Sequence, residues 1–453
     1  MTRIETVIEY VRHQIARGIW APGTKIWSIR TAAKELSVSK NTVAEAYDRL
    51  VALGKLEARI GSGYYLPSEP HRETVPKAVS VAQAVDAVSL LREQLVRNYE
   101  VRVGEGRPPH SWMGRIDFKS VSSPKVGQEN TDGHGYGNPW GFKLLREHIA
   151  LMLVERGIET KAEQVLLTHG ANHALDLIAR QLLEPGDVVL VDSPGYYPLF
   201  AKLHLSNVRI VGVQRLINGP DIDDLHRKAA EFKPKLFFTQ SLAHNPTGSS
   251  ATLPTCHRVL QAAMQYDFQI VEDDPFADIL PISAPRLATL DQLERVIYVG
   301  SFSKTLSAGL RVGYLAANAS LAASLCDLKM LTVVSSADYV ERMVYGFIAS
   351  GQYLKHLRKL RTRVAQTTVA ALEITDKLGL EVFCRPSSSF YLWVYLKEGD
   401  DESRLVEDAS QQSIFIAPGA IFTPERVSDR AAMRLNIAYA NHPKFIALMR
   451  SRA

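Results

Sequence analysis

The stretch Gly300-Ser301-Phe302-Ser303-Lys304-Thr305-Leu306-Ser307-Ala308-Gly309-Leu310-Arg311-Val312-Gly313 decides how the rest of the chain is read. It follows directly on Val296-Ile-Tyr-Val299, a short β-branched run that predicts a strand. A lysine beside two hydroxyls, with an arginine seven residues on, suits an anionic phosphate held next to a reactive amine. A lone lysine in a loop is ordinarily a solvated charge. The chemical reading therefore depends on what the other strand ends carry.

Similar apolar runs occur at Val165-Leu-Leu-Thr168, Val188-Val-Leu-Val191, Arg209-Ile-Val-Gly-Val213, Leu236-Phe-Phe-Thr239 and Gln269-Ile-Val-Glu272. Helical patterns such as Asn172–Leu183 and Leu253–Tyr266 separate several of them. That alternation predicts a mostly parallel sheet covered by helices, with ligands at the strand ends. Such a sheet hosts many chemistries, so the choice falls to particular residues. Asp273, just past one strand, suits an ion pair with a pyridine nitrogen; its plain alternative is a strand-end cap. Asn245, in Asn245-Pro246-Thr247-Gly248, suits an amide hydrogen bond to a phenolic oxygen, or simply a turn. Gly170-Ala171-Asn172 opens a helix whose backbone N–H groups suit a phosphate. Tyr196 suits stacking on a ring, or core packing beside Tyr197.

The chain has 46% hydrophobic and 22% charged residues, ordinary for a globular protein, and its 453 residues exceed one core. No apolar run approaches the ~20 residues that span a bilayer. The N-terminus lacks the apolar core of a signal peptide, so the expected location is cytoplasmic. Cys256, Cys326 and Cys384 build neither a disulfide framework nor a zinc spacing, and no HExxH pattern occurs, so no metal is expected.

Charge is concentrated at the front. Residues 1–66 carry ten Lys/Arg against six Asp/Glu, which is +4 of a total of +5. Ile4, Val7, Ile8, Val11 and Ile15 predict an amphipathic helix ending near Gly18, and Pro22-Gly23 a turn. Ile29–Leu36 predicts a second helix. After Ser37-Val38-Ser39 a third opens at Lys40 and carries the stripe Val43, Ala46, Tyr47, Leu50 and Val51. Two short helices and a tight turn make a helix-turn-helix, and Lys55–Leu66, centred on Gly61-Ser62-Gly63, reads as a hairpin wing. Ser39, Lys40, Asn41 and Thr42 put a cation and polar groups at a helix N-terminus, where base edges and phosphates are contacted. Pro67, Pro70 and Pro76 mark a connector, Val79–Val96 predicts a helix within it, and Gly104–Pro109 breaks the pattern again before Ile116.

Gly18–Leu66 resembles the winged helix of GntR-family regulators, through G-x-W-A-P-G-x-K-I-W-S-I-R, L-S-V-S-K-N-T-V-x-x-A-Y-x-x-L and G-K-L-x-x-R-x-G-S-G. The resemblance implies DNA contacts by Ser28, Arg30, Ser39, Lys40 and Thr42, beside Asn41 in the same helical turn, and a wing that Gly63 lets approach the minor groove. Ile26-Trp27-Ser28-Ile29-Arg30 departs from the family's usual Leu-Pro-Ser-Ser-Arg. From about residue 115 to 453 the chain resembles fold-type I enzymes of pyridoxal 5'-phosphate (PLP), the aspartate aminotransferase superfamily. That implies Lys304 as the Schiff-base lysine, with Ser301, Ser303, Arg311 and Gly170-Ala171-Asn172 around the phosphate. It also implies Tyr196, Asn245 and Asp273 on the ring, Tyr136 reaching the phosphate of a dimer partner, and Arg434 pairing with a ligand carboxylate. One position departs: where similar proteins carry tyrosine after the pyridine aspartate, Asp273-Asp274-Pro275 is followed by Phe276, which puts efficient turnover in doubt.

A GntR-like winged helix before an aminotransferase-like domain resembles the MocR-type transcription regulators. The implied organisation is a winged helix over 1–68, a connector over 69–115 and the PLP domain over 116–453, with an α+β C-terminal lobe from about 330. The implied function is regulation of promoter DNA by a head-to-tail homodimer. It would sense an amino compound bearing an acid group by external aldimine formation. Catalysis is not the expected main role, and slow half-transamination would be a residual side activity; the rival readings are an aminotransferase with multiple turnover and a regulator that senses PLP itself.

Overall fold

The computed structural model describes residues 3–16, 20, 23–59, 61–67, 89–113, 135–427 and 430–452. Gly18, Pro22, Pro70, Pro76, residues 79–88 and Ile116 lie outside them. The chain divides into two compact units, Met1–Lys77 and Ala78–Ala453.

In the first unit, helices Arg3–Ala16, Ile29–Glu35 and Lys40–Ala52 precede an antiparallel pair, β1 (Glu57–Arg59) and β2 (Gly63–Tyr65). Serines start the second and third helices: Ser28 Oγ accepts from the Thr31 N–H and Ser39 Oγ from the Thr42 N–H, each at 3.1 Å. The stripes meet in a core that includes Val7, Val11, Val43, Ala46 and Leu50. Trp27, which breaks the family pattern, stacks on Tyr10 at 5.7 Å, and its carbonyl accepts from the Tyr47 hydroxyl at 3.1 Å. The departure thus serves packing of the turn onto the first helix.

The second unit is built on β3 (Val165–Thr168), β4 (Val188–Ser193), β5 (Arg209–Leu216), β6 (Gly219–Pro220), β7 (Leu236–Thr239), β8 (Gln269–Asp274), β9 (Val296–Ser301) and β10 (Gly313–Ala316). Their order is β3-β10-β9-β8-β7-β4-β5-β6. The five central strands run parallel, while β10 runs antiparallel between β3 and β9. Successive residues alternate between two apolar layers. Leu190, Phe237 and Ile270 enter one, while Val191, Phe238 and Val271 enter the other. This geometry brings the carboxyl ends of β3, β4, β7, β8 and β9 to one edge, where doubly wound sheets bind ligands.

A second sheet, β11 (Tyr391–Tyr395), β12 (Ala417–Pro418) and β13 (Ala432–Asn436), has the order β11-β13-β12. Its core also takes in Leu360 and Val364 of helix Gln352–Lys377, and Val101 and Val103. Residues 89–96 are helical, and Val101 bridges to Ile414. The Gly104–Pro109 stretch, which read as a break, therefore belongs to the packed unit. No helix among the described residues is long and apolar enough to cross a membrane.

Candidate functional site

At the carboxyl edge of the large sheet lies a cavity of about 210 Å3. Its lining includes Ala171, Asn172, Tyr196, Asn245, Asp273, Ser301, Ser303, Lys304, Arg311 and Arg434, so ten residues singled out in the sequence meet there. Gly170 stands behind them at the N-terminus of helix Ala171–Leu182, with φ +78°. A Cβ there would lie 2.7 Å from Arg311 Nη2. Arg311 Nη2 donates to the His169 carbonyl at 3.0 Å, and Ser301 Oγ accepts from the Ser303 N–H at 3.1 Å. Hydroxyls, a guanidinium and a helix N-terminus thus converge in a pattern that suits a phosphate. Tyr136 is 80% exposed and is absent from the cavity lining.

Asp273 is buried at the end of β8. Its Oδ2 accepts from Gln240 Nε2 at 2.7 Å, and its Oδ1 has no partner. Burial pushes its carboxyl up to about 7. Burial pushes the Lys304 amine down to about 8, and the Arg434 guanidinium adds to the effect. Arg434 is 2% exposed; its Nη1 donates to Asn245 Oδ1 at 2.9 Å and its Nη2 to the Gly104 carbonyl at 2.7 Å. Its Nε has no partner, and its guanidinium lies 4.9 Å from the ring centres of Tyr391 and Phe422. No carboxylate among the described residues forms a salt bridge with it. Phe276 also lines the cavity and packs against Phe390 and Tyr391.

Sequence reasoning missed two parts of this site. Gln240, one residue past β7, is the partner of Asp273, and the strand-end rule that found Asp273 would have reached it. Residues 101–107 form a strap across the cavity, for which a Gly- and Pro-rich stretch offers no signal. The Gly106 carbonyl accepts from Lys304 Nζ and, at 2.8 Å, from the Tyr391 hydroxyl. Asn436 Nδ2 donates to the carbonyls of Glu105 and Arg107, each at 2.9 Å. The Glu105 carboxylate is shared by Arg102, Arg107 and Gln94, which ties the strap to helical residues 89–96.

On the first unit, Ser28, Arg30, Ser39, Lys40 and Asn41 are exposed, while Thr42 and Gly63 are half-buried. Gly63 has φ +112° and a Cβ there would meet the Lys25 side chain at 3.1 Å, so the wing backbone stays slim at this point.

Residues 98–444 match the family model for aminotransferase class I and II, and residues 3–66 match that for bacterial regulatory proteins of the gntR family. The chain belongs to the aminotransferase class I and II family and carries a gntR-family domain in front. That arrangement is the MocR type of transcriptional regulator. An HTH-type transcriptional regulator of Bacillus subtilis, YisV, is 27% identical over 96% of this chain and 91% of its own. NorG, an HTH-type transcriptional regulator of Staphylococcus aureus, is 27% identical over 92% of this chain and 96% of its own. Among solved structures, Pyrococcus horikoshii kynurenine aminotransferase superposes with TM-score 0.73 at 24% identity, over 81% of this chain and 93% of that one. LysN, an α-aminoadipate aminotransferase of Thermus thermophilus, gives 0.72 at 25%, over 82% and 94%.

The cofactor of this domain is PLP. The residues present fit it. Asp273 Oδ1 and Asn172 Oδ1 are buried polar atoms without a protein partner, and the Gly170 backbone leaves room that a Cβ would fill.

Two measurements test these shifts. The Asp273 carboxyl is raised from 3.8 to about 7, so in the apoprotein it costs stability progressively as pH climbs between those values and by a constant amount above. Apo Asp273→Asn should gain on the wild type in thermal melts from about pH 4 to about pH 7 and level off beyond. Parallel melting profiles for the two proteins would refute this. Lys304 is uncharged above about 8. Capture of PLP by the apoprotein, followed as a visible band in stopped flow, should accelerate about tenfold per pH unit below that point and flatten above it. A rate that still climbs about tenfold per pH unit from pH 8 to pH 10, as an ordinary lysine would give, would contradict the lowering of this amine by burial.

Proposed function

We propose that this regulator senses a small amine bearing an acid group in the cavity between Lys304 and Arg434, and that occupancy alters its grip on promoter DNA. One observation carries the reading. Arg434 is a nearly inaccessible guanidinium whose two hydrogen-bond acceptors are neutral, beside an amine lowered toward physiological pH. A buried cation without an anion is costly, and an incoming carboxylate relieves that cost through paired N–H bonds.

Bound PLP supplies an aldehyde carbon at which one amine replaces another, and an electron-withdrawing ring. Lys304 is the resident amine. Ser301, Ser303, Arg311 and the N–H groups of Ala171 and Asn172 hold the phosphate. Asp273 Oδ1, which has no protein partner, would accept a hydrogen bond from the protonated ring nitrogen, and Asn245, its Oδ1 taken by Arg434, would offer Nδ2 to the phenolic oxygen. Tyr196 covers the ring. Phe276 contributes no hydroxyl, which favours sensing over turnover.

An acid arriving at Arg434 would compete with the Gly104 carbonyl, and Lys304, which donates to the Gly106 carbonyl as a free amine, would leave it on binding the cofactor and regain it when an incoming amine takes its place. Both events act on the strap, which Glu105 and Gln94 join to the helical residues leading back to the connector. A ligand alters DNA binding through the strap only by favouring one strap arrangement over another, as coupling requires. A homodimer is part of the proposal. Exposed Tyr136, Leu331 and Tyr339 are apolar surface of the kind a partner covers, and two winged helices would read paired half-sites. Ser28, Arg30, Ser39, Lys40, Asn41, Thr42 and Gly63 form the DNA face.

Amines with an acid group should shift the visible band of the holoprotein and change operator affinity without releasing a keto acid. Stoichiometric or repeated keto-acid release with no effect on DNA would favour an aminotransferase. Modulation of DNA binding by PLP alone would favour a PLP sensor. Lys304→Ala should lose the band, and a normal band in that variant would remove the assignment. Lys40→Ala should weaken operator binding and reduce the slope of log affinity against log salt by about one. An unchanged slope would place Lys40 away from phosphate.

A further inference from the structure

Gln240 is 5% exposed and follows β7 directly, beside Asp273 at the end of β8. Its side chain makes two bonds of opposite polarity. Nε2 donates to Asp273 Oδ2 at 2.7 Å, and Oε1 accepts from the Asn245 backbone N–H at 2.7 Å. These partners fix the amide's orientation, because a flip would set oxygen against carboxylate and NH2 against N–H. The backbone holds the side chain in place from behind. The Gln240 N–H donates to Asp192 Oδ2 at 3.2 Å, and the same oxygen accepts from the Thr239 hydroxyl at 2.8 Å and Arg215 Nη1 at 3.2 Å. Thus one amide spans the two residues assigned to adjacent polar atoms of the ring, the nitrogen and the phenolic oxygen.

We infer that Gln240 is a positioning residue that sets the spacing of Asp273 and Asn245, and with it the protonation of the cofactor ring. The inference rests on the placement of PLP given above and goes beyond it, because Gln240 touches the cofactor only through other residues. Glutamine reaches both partners with one donor and one acceptor, and glutamate in its place does so only when protonated. The charged and titratable groups facing Asp273 are Asp274 on its own strand, Lys304 after β9 and Tyr196 after β4. None of them supplies a hydrogen bond to its Oδ2. Gln240 is the donor that favours the carboxylate form, and the carboxylate favours a protonated ring nitrogen.

The test compares full-length wild type, Gln240→Leu and Gln240→Glu, each freed of PLP and reconstituted. Melting of the apoproteins checks folding, equilibrium titration gives PLP affinity, and the visible band is followed against pH. Loss of a hydrogen bond to a charged group predicts about 10- to 100-fold weaker PLP binding by Gln240→Leu. The pH midpoint of its band should rise by roughly one unit, because a ring nitrogen less often protonated leaves the Schiff-base nitrogen more basic. Gln240→Glu should approach wild-type affinity at low pH, where its carboxyl donates to Asp273 and accepts from Asn245, and lose it as pH rises. Wild-type affinity and midpoint in a folded Gln240→Leu protein would overturn the inference. So would a Gln240→Glu protein whose affinity follows the wild-type pH profile, which decides the matter if the leucine variant does not fold. A wild-type band that survives Lys304→Ala refutes the cofactor placement itself, an outcome distinct from either of these.

Discussion

The carboxylate of Asp273, buried at the end of a central strand with one oxygen paired and the other bare, is the constraint on which the cavity of the large domain depends. Strand β8 is covered on both faces, so its final residues are buried and only Asp273 borders the cavity. Three acids end it, and alternation sends them to different partners. Glu272 accepts from the N–H groups of Leu287 and Ala288 at 2.9 and 2.8 Å. Asp274 pairs with fully buried Arg286 at 2.7 Å. Asp273, between them, faces the cavity and receives only Gln240. The two flanking acids complete the fold, and the middle one is left for a ligand, which is why the cost of burying it is tolerated.

The same contrast separates the cavity's cations. Arg156 and Arg286, deep in the domain, each meet a carboxylate, Asp278 and Asp274. Arg434 and Lys304 meet carbonyl and amide oxygens instead. A structural arginine is neutralised by its own fold, whereas one that receives an anion has to be held by weaker acceptors it can release. Phe276 marks the other side of the balance. It joins the core shared by Phe390, Leu392, Val101 and Val103, so this position supports packing of the C-terminal sheet and adds no polar group to the cavity.

What was legible in the sequence was what local pattern encodes. The β-branched runs located six strands of the large sheet, and residues just beyond them proved to line one cavity, because parallel strands deliver their carboxyl ends to one edge. Strand β10, Gly-Tyr-Leu-Ala, was not legible: it is short, starts with glycine and owes its place to antiparallel pairing with β3 and β9 on both sides. The C-terminal sheet was hidden for a similar reason, since β12 has only two residues. The strap was read as a break because glycine and proline ordinarily signal one. Here Gly104 is required by contact, as a Cβ would lie 2.3 Å from the Ala417 backbone nitrogen, which no local pattern records.

That contact bears on the sensing proposed for this cavity. The strap is held by backbone carbonyls, which side-chain variation leaves in place, and by Asn436, which donates to two of them at once. Each carbonyl given up to Arg434 or Lys304 is a neutral acceptor, whose bond to a cation is weaker than that of a carboxylate in the same position. Exchange therefore favours an acid ligand by a margin that the strap must partly return as lost contacts. The larger that net margin, the further a ligand would shift the strap, since a ligand moves an equilibrium only by its differential affinity for the two arrangements. Glycine at 104 and 106 keeps the strap close enough to compete, and the neutrality of its acceptors keeps it weak enough to yield.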